Sequence, residues 1–365
     1  MMALFCQQPQ HHHIYRKKQM SLEAIKEEAK RIKTRLIDSF ALNTEADYII
    51  SGEGLIRLST VELQEMKAFF SQYFDRFFIC GYVREPISYM ESDFQQRIKG
   101  GLDRFVIHGP QYHNRFEKFD QVFGKEALHL WLFNPKDFMN NCVVQDFCNR
   151  LGVEIKPEQV VVSNDGLSFP AVSLLYTARR YGFDYGVGTR MMLANQRMIA
   201  LLKQLKGPKL RFSGALVDSL WSEHQEDIDW IILRTGFEFK KPTNACRDCS
   251  ISSEEDLLTI NPLVLAEWMG LVRDELAKQK NASAKQKNAS AFPVSSVELV
   301  WKPHSLSMLF TIARLEKSAG GCYWQVFRKT AARLKRRGWA SAYSSLCIEY
   351  NLVLNGHVKQ LIESR

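Results

Sequence analysis

An α/β fold, a parallel sheet flanked by helices with a helical C-terminal extension, is predicted by three observations. Residues 77–83, Phe-Phe-Ile-Cys-Gly-Tyr-Val, are apolar and aromatic without alternation, as in a parallel strand covered on both faces. Ile87, Met90, Phe94 and Ile98 follow at three- and four-residue steps, the spacing of one inward helical stripe. A second apolar run, Ala127 to Phe133, is again followed by helix-like sequence. Strands alternating with helices are the pattern of a layered α/β domain.

The elements can be taken in order. The first 20 residues, including His11 to His13, read as a disordered end. From Ser21, the stripe Leu22, Ile25, Ala29, Ile32, Leu36 and Phe40 makes an amphipathic cover helix. Asp47 to Ser51 reads as a short strand that delivers Gly52, Glu53 and Gly54 at its carboxyl end, where open α/β sheets place their ligands. Ser59 and Glu62 have capping-box spacing, and Leu63, Met66, Phe70 and Tyr73 carry the next helix back over the sheet. After the 77–83 strand, Arg84 stands at the hinge and Pro86 at a first helical turn, where its missing N–H costs nothing.

Residues 100–126 read as loop-rich, with His108, Tyr112, His113 and Arg115 close together. Asp137 to Leu151 reads as a helix ended by Gly152, Val160 to Val162 as a short strand, and Ser168 as the N-cap of a helix running through Ala178. The α/β domain spans 21–245. Residues 275–291 contain Ala-Lys-Gln-Lys-Asn-Ala-Ser twice in tandem and read as a polar linker. Beyond it, 292–365 forms a basic helical module with eleven Lys or Arg against four Glu and no Asp, so most of the formal +9 charge belongs there.

Composition excludes several classes. No apolar run approaches the roughly 18 residues that a membrane span needs, and the N-terminus lacks a signal layout, so a cytoplasmic location is expected. Eight cysteines have no regular spacing, and Cys246-x-x-Cys249 lacks a second ligand pair, so no metal site is expected. Arg328, Lys329, Arg333 and Lys335 to Arg337 suit either an acidic polymer or a solvated helix end. Without a nucleic-acid-binding signature, a nucleic-acid partner is not expected.

Arg84 at a strand end and Ser92 in the following helix suit an anion, gripped by a forked guanidinium and a hydroxyl. The alternative for Arg84 is an ion pair with Glu85 or Glu91. Gln96 and Lys99 face either an acceptor or solvent.

With the strand, Pro86 and helix around them, these residues resemble the 3′-phosphate-binding element of sulfotransferases that use 3′-phosphoadenosine 5′-phosphosulfate (PAPS). Val-Arg-Glu-Pro at 83–86 and Glu-Ser-Asp-Phe-Gln-Gln-Arg-Ile-Lys-Gly-Gly at 91–101 are similar to a segment of bacterial members, as is Ile-Ile-Ser-Gly-Glu-Gly-Leu at 49–55. Phe138 to Gly152 and Asn164 to Ser168 also look like family segments, and the resemblance covers roughly 14–240.

It implies a P-loop-like sheet, PAPS as donor, and a small-molecule or glycan acceptor bearing a hydroxyl or amine. By the same resemblance Arg84 and Ser92 hold the 3′-phosphate, and Glu53 lies near the sulfuryl group as general base. A helix-capping or ion-paired carboxylate is the other reading of Glu53. The family opens with a strand and a Lys-x-Gly-Thr-Thr-like loop, whereas the first glycine here is Gly52. The expectation is therefore an N-terminally incomplete domain. Either it is an active sulfotransferase in a longer form, or a truncated, inactive remnant that binds acidic polymers.

Overall fold

A computed structural model of the protein describes residues 2–42, 46–160, 166–181, 189–242 and 250–286. The fold is mixed α/β but mostly helical, 64%, so the parallel sheet is a small element within a helical body.

The chain begins with α1 (Met2–Phe5) and α2 (His13–Lys18), where a disordered end was expected. Phe5 explains the difference: it is buried, with its ring 5.8 Å from both Phe69 and Phe70. The cover helix is α3 (Leu22–Leu42), with Ile25 and Phe40 fully inside and Leu22 exposed.

No strand forms at 47–51. That stretch is extended without ladder bonds and leads into a 3₁₀ turn, Glu53–Arg57. The next helix is α4 (Thr60–Phe70), capped as its sequence predicts. Ser59 Oγ accepts from the Glu62 N–H while the Glu62 carboxylate accepts from the Ser59 N–H.

β1 (Ile79–Val83) then runs into α5 (Pro86–Lys99), with Pro86 in the first turn. The predicted stripe is the buried face of α5: Ile87 is 3% exposed, and Met90, Phe94 and Ile98 are inaccessible. Burying each such side chain contributes about 1.5–3 kcal/mol. Where a loop was expected, α6 (Tyr112–Phe123) forms. Tyr112, Phe116, Phe119 and Val122 are its buried residues, an apolar stripe hidden in the sequence by the charges between them.

β2 (Leu128–Leu132) pairs in parallel with β1, from Ile79↔Leu128 to Val83↔Leu132. The helix expected at 137–151 is confined to α7 (Val143–Arg150), because Asn140 and Asn141 take left-handed backbone conformations that interrupt it. α8 (Phe169–Tyr181) starts as predicted at Ser168, whose Oγ accepts from the Ala171 N–H.

α9 (Thr189–Leu202), β3 (Arg211–Phe212), α10 (Gly214–Glu223) and α11 (Gln225–Thr235) follow. After them come β4 (Ser250–Ile251), α12 (Glu254–Leu258) and α13 (Pro262–Gln286), with β4 parallel to β3. The helix α13 continues into the tandem repeat as far as Gln286, where a linker without structure of its own was read from the sequence. Ala, Lys and Gln are good helix formers, and that composition is enough to extend the helix. Val161, Val162, Asn164, Cys246, Cys249 and the basic module 292–365 lie outside the described residues.

Two apolar cores result. One gathers α5, α8, α9, α10, α12 and α13 around Phe94, Tyr176 and Phe212. The other packs α1, α3, α4 and α6 against β1 and β2 around Leu58, Leu63 and Phe70. A bidentate ion pair ties α11 to the second core. Arg234 Nε and Nη2 each donate to Asp120 at 2.8 Å, and Nη2 also donates to the carbonyls of Lys125 and Leu128 at the start of β2.

Asp120 is 7% exposed, and removing one partner of a buried pair strands the other charge. Arg234→Ala is therefore expected to lower unfolding stability by about 3–5 kcal/mol, read from the urea midpoint. A loss below about 1 kcal/mol would show that the pair is a surface contact.

Candidate functional site

Val83 belongs to the sheet core and Ile87 to the helical core, so Arg84 and Glu85 lie where the chain crosses from one to the other. This crossing is the carboxyl end of β1, the side on which open α/β sheets bind ligands. Arg84 is half-buried. Its Nε donates to Ser88 Oγ at 2.9 Å, and the guanidinium stacks on the Phe133 ring at 5.2 Å. Neither Glu85 nor Glu91 pairs with it, so the ion-pair reading of Arg84 is not what the structure shows. Burial, reinforced by the nearby Arg211 charge, weakens its hold on its proton, while Glu91 and Glu85 oppose that shift.

Ser88 stands one turn into α5, so the hydroxyl that meets Arg84 is not that of Ser92. Ser92 is exposed one turn further on, about 40° around the same flank by helical geometry. Glu53 is exposed at the first position of its 3₁₀ turn and does not line the cleft described below.

Gln96 is exposed, whereas its neighbour Gln95 is structural. The Gln95 side chain accepts from the Leu167 N–H at 3.0 Å and donates to the Leu167 carbonyl at 3.3 Å. Lys99 is half-buried near α9, and burial followed by the Lys203 charge lowers its pKa. Arg84, Ser92, Gln96 and Lys99 thus share one helix and its entry, while Glu53 stands on another segment.

A cleft of about 350 Å³ opens beside the first turns of α5. Glu85, Pro86, Ser88 and Glu91 form one wall, and Arg211, Phe212, Trp221 and Lys240 supply the rest with Ile87 and Pro242. Glu91 is 8% exposed and satisfied on both oxygens, accepting from Arg211 Nη1 at 2.6 Å and from the Phe212 N–H at 2.9 Å.

Arg211 and Lys240 carry no local sequence signal for this role, because their partners are distant. Arg211 meets Glu91 across 120 positions. Ser88 was legible in principle, standing four residues after Arg84 on the same helical flank.

Three further contacts fix the crossing. The Tyr112 hydroxyl donates to the Arg84 carbonyl, and the Asp227 carboxylate caps α6 by accepting from the N–H groups of Tyr112 and His113, both at 2.8 Å. Behind β1, Tyr82 donates to Asp146 Oδ2 at 2.5 Å, and Arg150 Nε donates to the same oxygen at 2.6 Å while its guanidinium stands over Trp131. Among the described residues, no group of three or more His, Cys, Asp or Glu could hold a metal ion. No described helix is long and apolar enough to cross a membrane.

No family model, curated protein or solved structure matches the chain.

Asp146 provides a pH test of the support behind β1. Burial raises its pKa, but the hydrogen bonds from Arg150 and Tyr82 and the Arg150 charge outweigh that and leave it below the ordinary carboxylate value. A folded-state pKa below the unfolded one gives stability that is present above about pH 4 and lost as pH falls through the folded value. Asp146→Asn is expected to flatten this acid limb in urea titrations at stepped pH. An unchanged limb would assign acid sensitivity to other carboxylates.

Proposed function

We propose that the chain is a sulfotransferase-like protein whose retained chemistry is recognition of the 3′-phosphate of PAPS at the entry to α5. The observation that carries this reading is Arg84, half-buried at the carboxyl end of a parallel strand, bonded only through Nε to a hydroxyl of the following helix. Among the described residues its two terminal nitrogens have no hydrogen-bond partner, which suits a forked contact to phosphate oxygens. Ser88 and the exposed Ser92 present two hydroxyls one turn apart on the same flank, and the start of α5 adds a partial positive charge. These residues fit a phosphate.

The fit does not extend to the sulfuryl end of the donor. The base role of Glu53 rests on the resemblance, and the exposed Glu53 lies outside the cleft lining, so no transfer step is derived through it. In the proposal the acceptor is a hydroxyl or amine of a small molecule or glycan, and the protein acts in the cytoplasm. Gln96 and Lys99 are the acceptor-facing candidates on α5. The position of Glu53 favours a second reading, in which donor recognition persists without transfer and any partner is an acidic polymer.

Titration calorimetry with adenosine 3′,5′-bisphosphate tests the proposal. Wild-type protein is expected to bind, and Arg84→Ala to weaken binding at least about tenfold, the loss of one charge-assisted contact. Equal affinity of the two proteins would remove the reading. Assay of sulfuryl transfer from PAPS to a panel of hydroxyl and amine acceptors separates the active form from the remnant.

A further inference from the structure

The cleft carries more than the Arg84 reading uses. The rest of its lining comes from β3, α10 and the segment after α11, and it brings Arg211 and Lys240 into one cleft with Ser88. Arg211 is 51% exposed on its side chain, and among the described residues only its Nη1 is hydrogen-bonded, to Glu91. That bond holds the guanidinium in place. The pair offsets one charge, but both Glu91 oxygens are engaged by Arg211 and the Phe212 N–H, while among the described residues Arg211 Nε and Nη2 have no hydrogen-bond partner. Arg84 donates to Ser88 without itself lining the cleft, and its charge interacts with that of Arg211. Two cations, Arg211 and Lys240, thus line the cleft beside two carboxylates, Glu91, which is paired with Arg211, and Glu85.

Ser88 completes the set. Its oxygen accepts from Arg84, which leaves its own O–H proton available to donate into the cleft. A pre-oriented guanidinium, an exposed ammonium and a hydroxyl donor around a 350 Å³ space offer directed donors to a compact oxyanion.

We propose that this cleft is a binding site for a phosphate- or sulfate-ester group, held by Arg211 and Lys240 against the Ser88 hydroxyl. The site goes beyond recognition of the donor's 3′-phosphate by Arg84, and it requires no donor chemistry. A phosphate ester and a sulfate ester share the geometry that these residues read, so the experiment carries one arm for each.

The test is calorimetry of the full chain with inorganic pyrophosphate and, separately, with a heparin-derived sulfated disaccharide, at low and at physiological salt. At least one probe is expected to bind, with affinity falling as salt rises, since the contacts are ionic and partly exposed. Arg211→Gln and Lys240→Gln are each expected to weaken that probe about tenfold or more, and the double variant to abolish its binding. Lys240 is exposed, so its variant reports on binding even where Arg211→Gln perturbs the β3 contact with α5.

Binding of pyrophosphate alone identifies a phosphoryl oxyanion as the group held, and binding of the disaccharide alone a sulfate. Absence of binding in both arms, or wild-type affinity in Lys240→Gln and in the double variant, overturns the proposal. The result is separable from the donor reading. If pyrophosphate binding depends on Arg211 and Lys240 while adenosine 3′,5′-bisphosphate is indifferent to Arg84→Ala, this site stands and the donor assignment falls. The converse pattern removes this site alone.

Discussion

Tyr112 joins three parts of the molecule at the point where the chain leaves one core for the other. Its hydroxyl donates to the Arg84 carbonyl, its N–H donates to Asp227 on α11, and its ring is buried in the sheet core facing Phe239. A backbone carbonyl at a strand end has no ladder partner, and leaving it buried and unpaired would cost about 1–3 kcal/mol. Tyr112 supplies the missing donor and thereby sets the direction in which Arg84 and the first turn of α5 emerge. Burial, then the Asp227 charge, pushes the Tyr112 phenol well above its usual range, so the hydroxyl keeps its donor proton at any pH the fold survives.

Everything near the cleft inherits its position from that crossing. The two cores are each apolar; Phe239 packs against both and α11 gives Ile228 to one and Ile231 to the other, and polar ties reinforce the seam. Asp227 reaches from α11 to the start of α6, and Arg234 from α11 to Asp120 and the β2 approach, while within the first core Glu91 ties α5 to β3. Gly109 allows a close approach here, since a Cβ there would lie 2.5 Å from the His224 ring at the entry to α11. Polar ties of this kind tolerate a cleft, because their directional bonds hold the walls apart, where an apolar seam would close to remove water.

The sequence made legible what is local and periodic. The α5 stripe, the Ser59–Glu62 box, the Ser168 cap and the two strands within 77–83 and 127–133 follow from spacing and propensity alone, and the structure shows each of them, adding that the two strands pair in parallel. The misread segments are those in which a local signal loses to packing at a distance. Asp47 to Ser51 has strand composition but no partner edge, and the charged residues of α6 disguise a helix whose apolar face is needed against β1 and α4. Residues 2–5 look too short and polar in context to fold, until Phe5 meets Phe69 and Phe70. For the candidate site the same division holds. Arg84 was readable from its strand-to-helix setting, whereas Arg211 and Lys240 become neighbours of α5 only through tertiary folding.

The position of Ser88 changes how the α5 anion grip works. A guanidinium that spends Nε on Ser88 is turned so that its two terminal nitrogens form the fork, the arrangement best matched to a pair of phosphate oxygens. Ser88 therefore acts twice, orienting Arg84 through its lone pair and addressing the cleft through its proton, while Ser92 can reach only a ligand that extends one turn further along the helix. An anion seated at the Arg84 fork meets the outer flank of α5. Ser88 is the residue common to both proposals, since its oxygen holds Arg84 and its side chain lines the cleft that also contains Arg211 and Lys240.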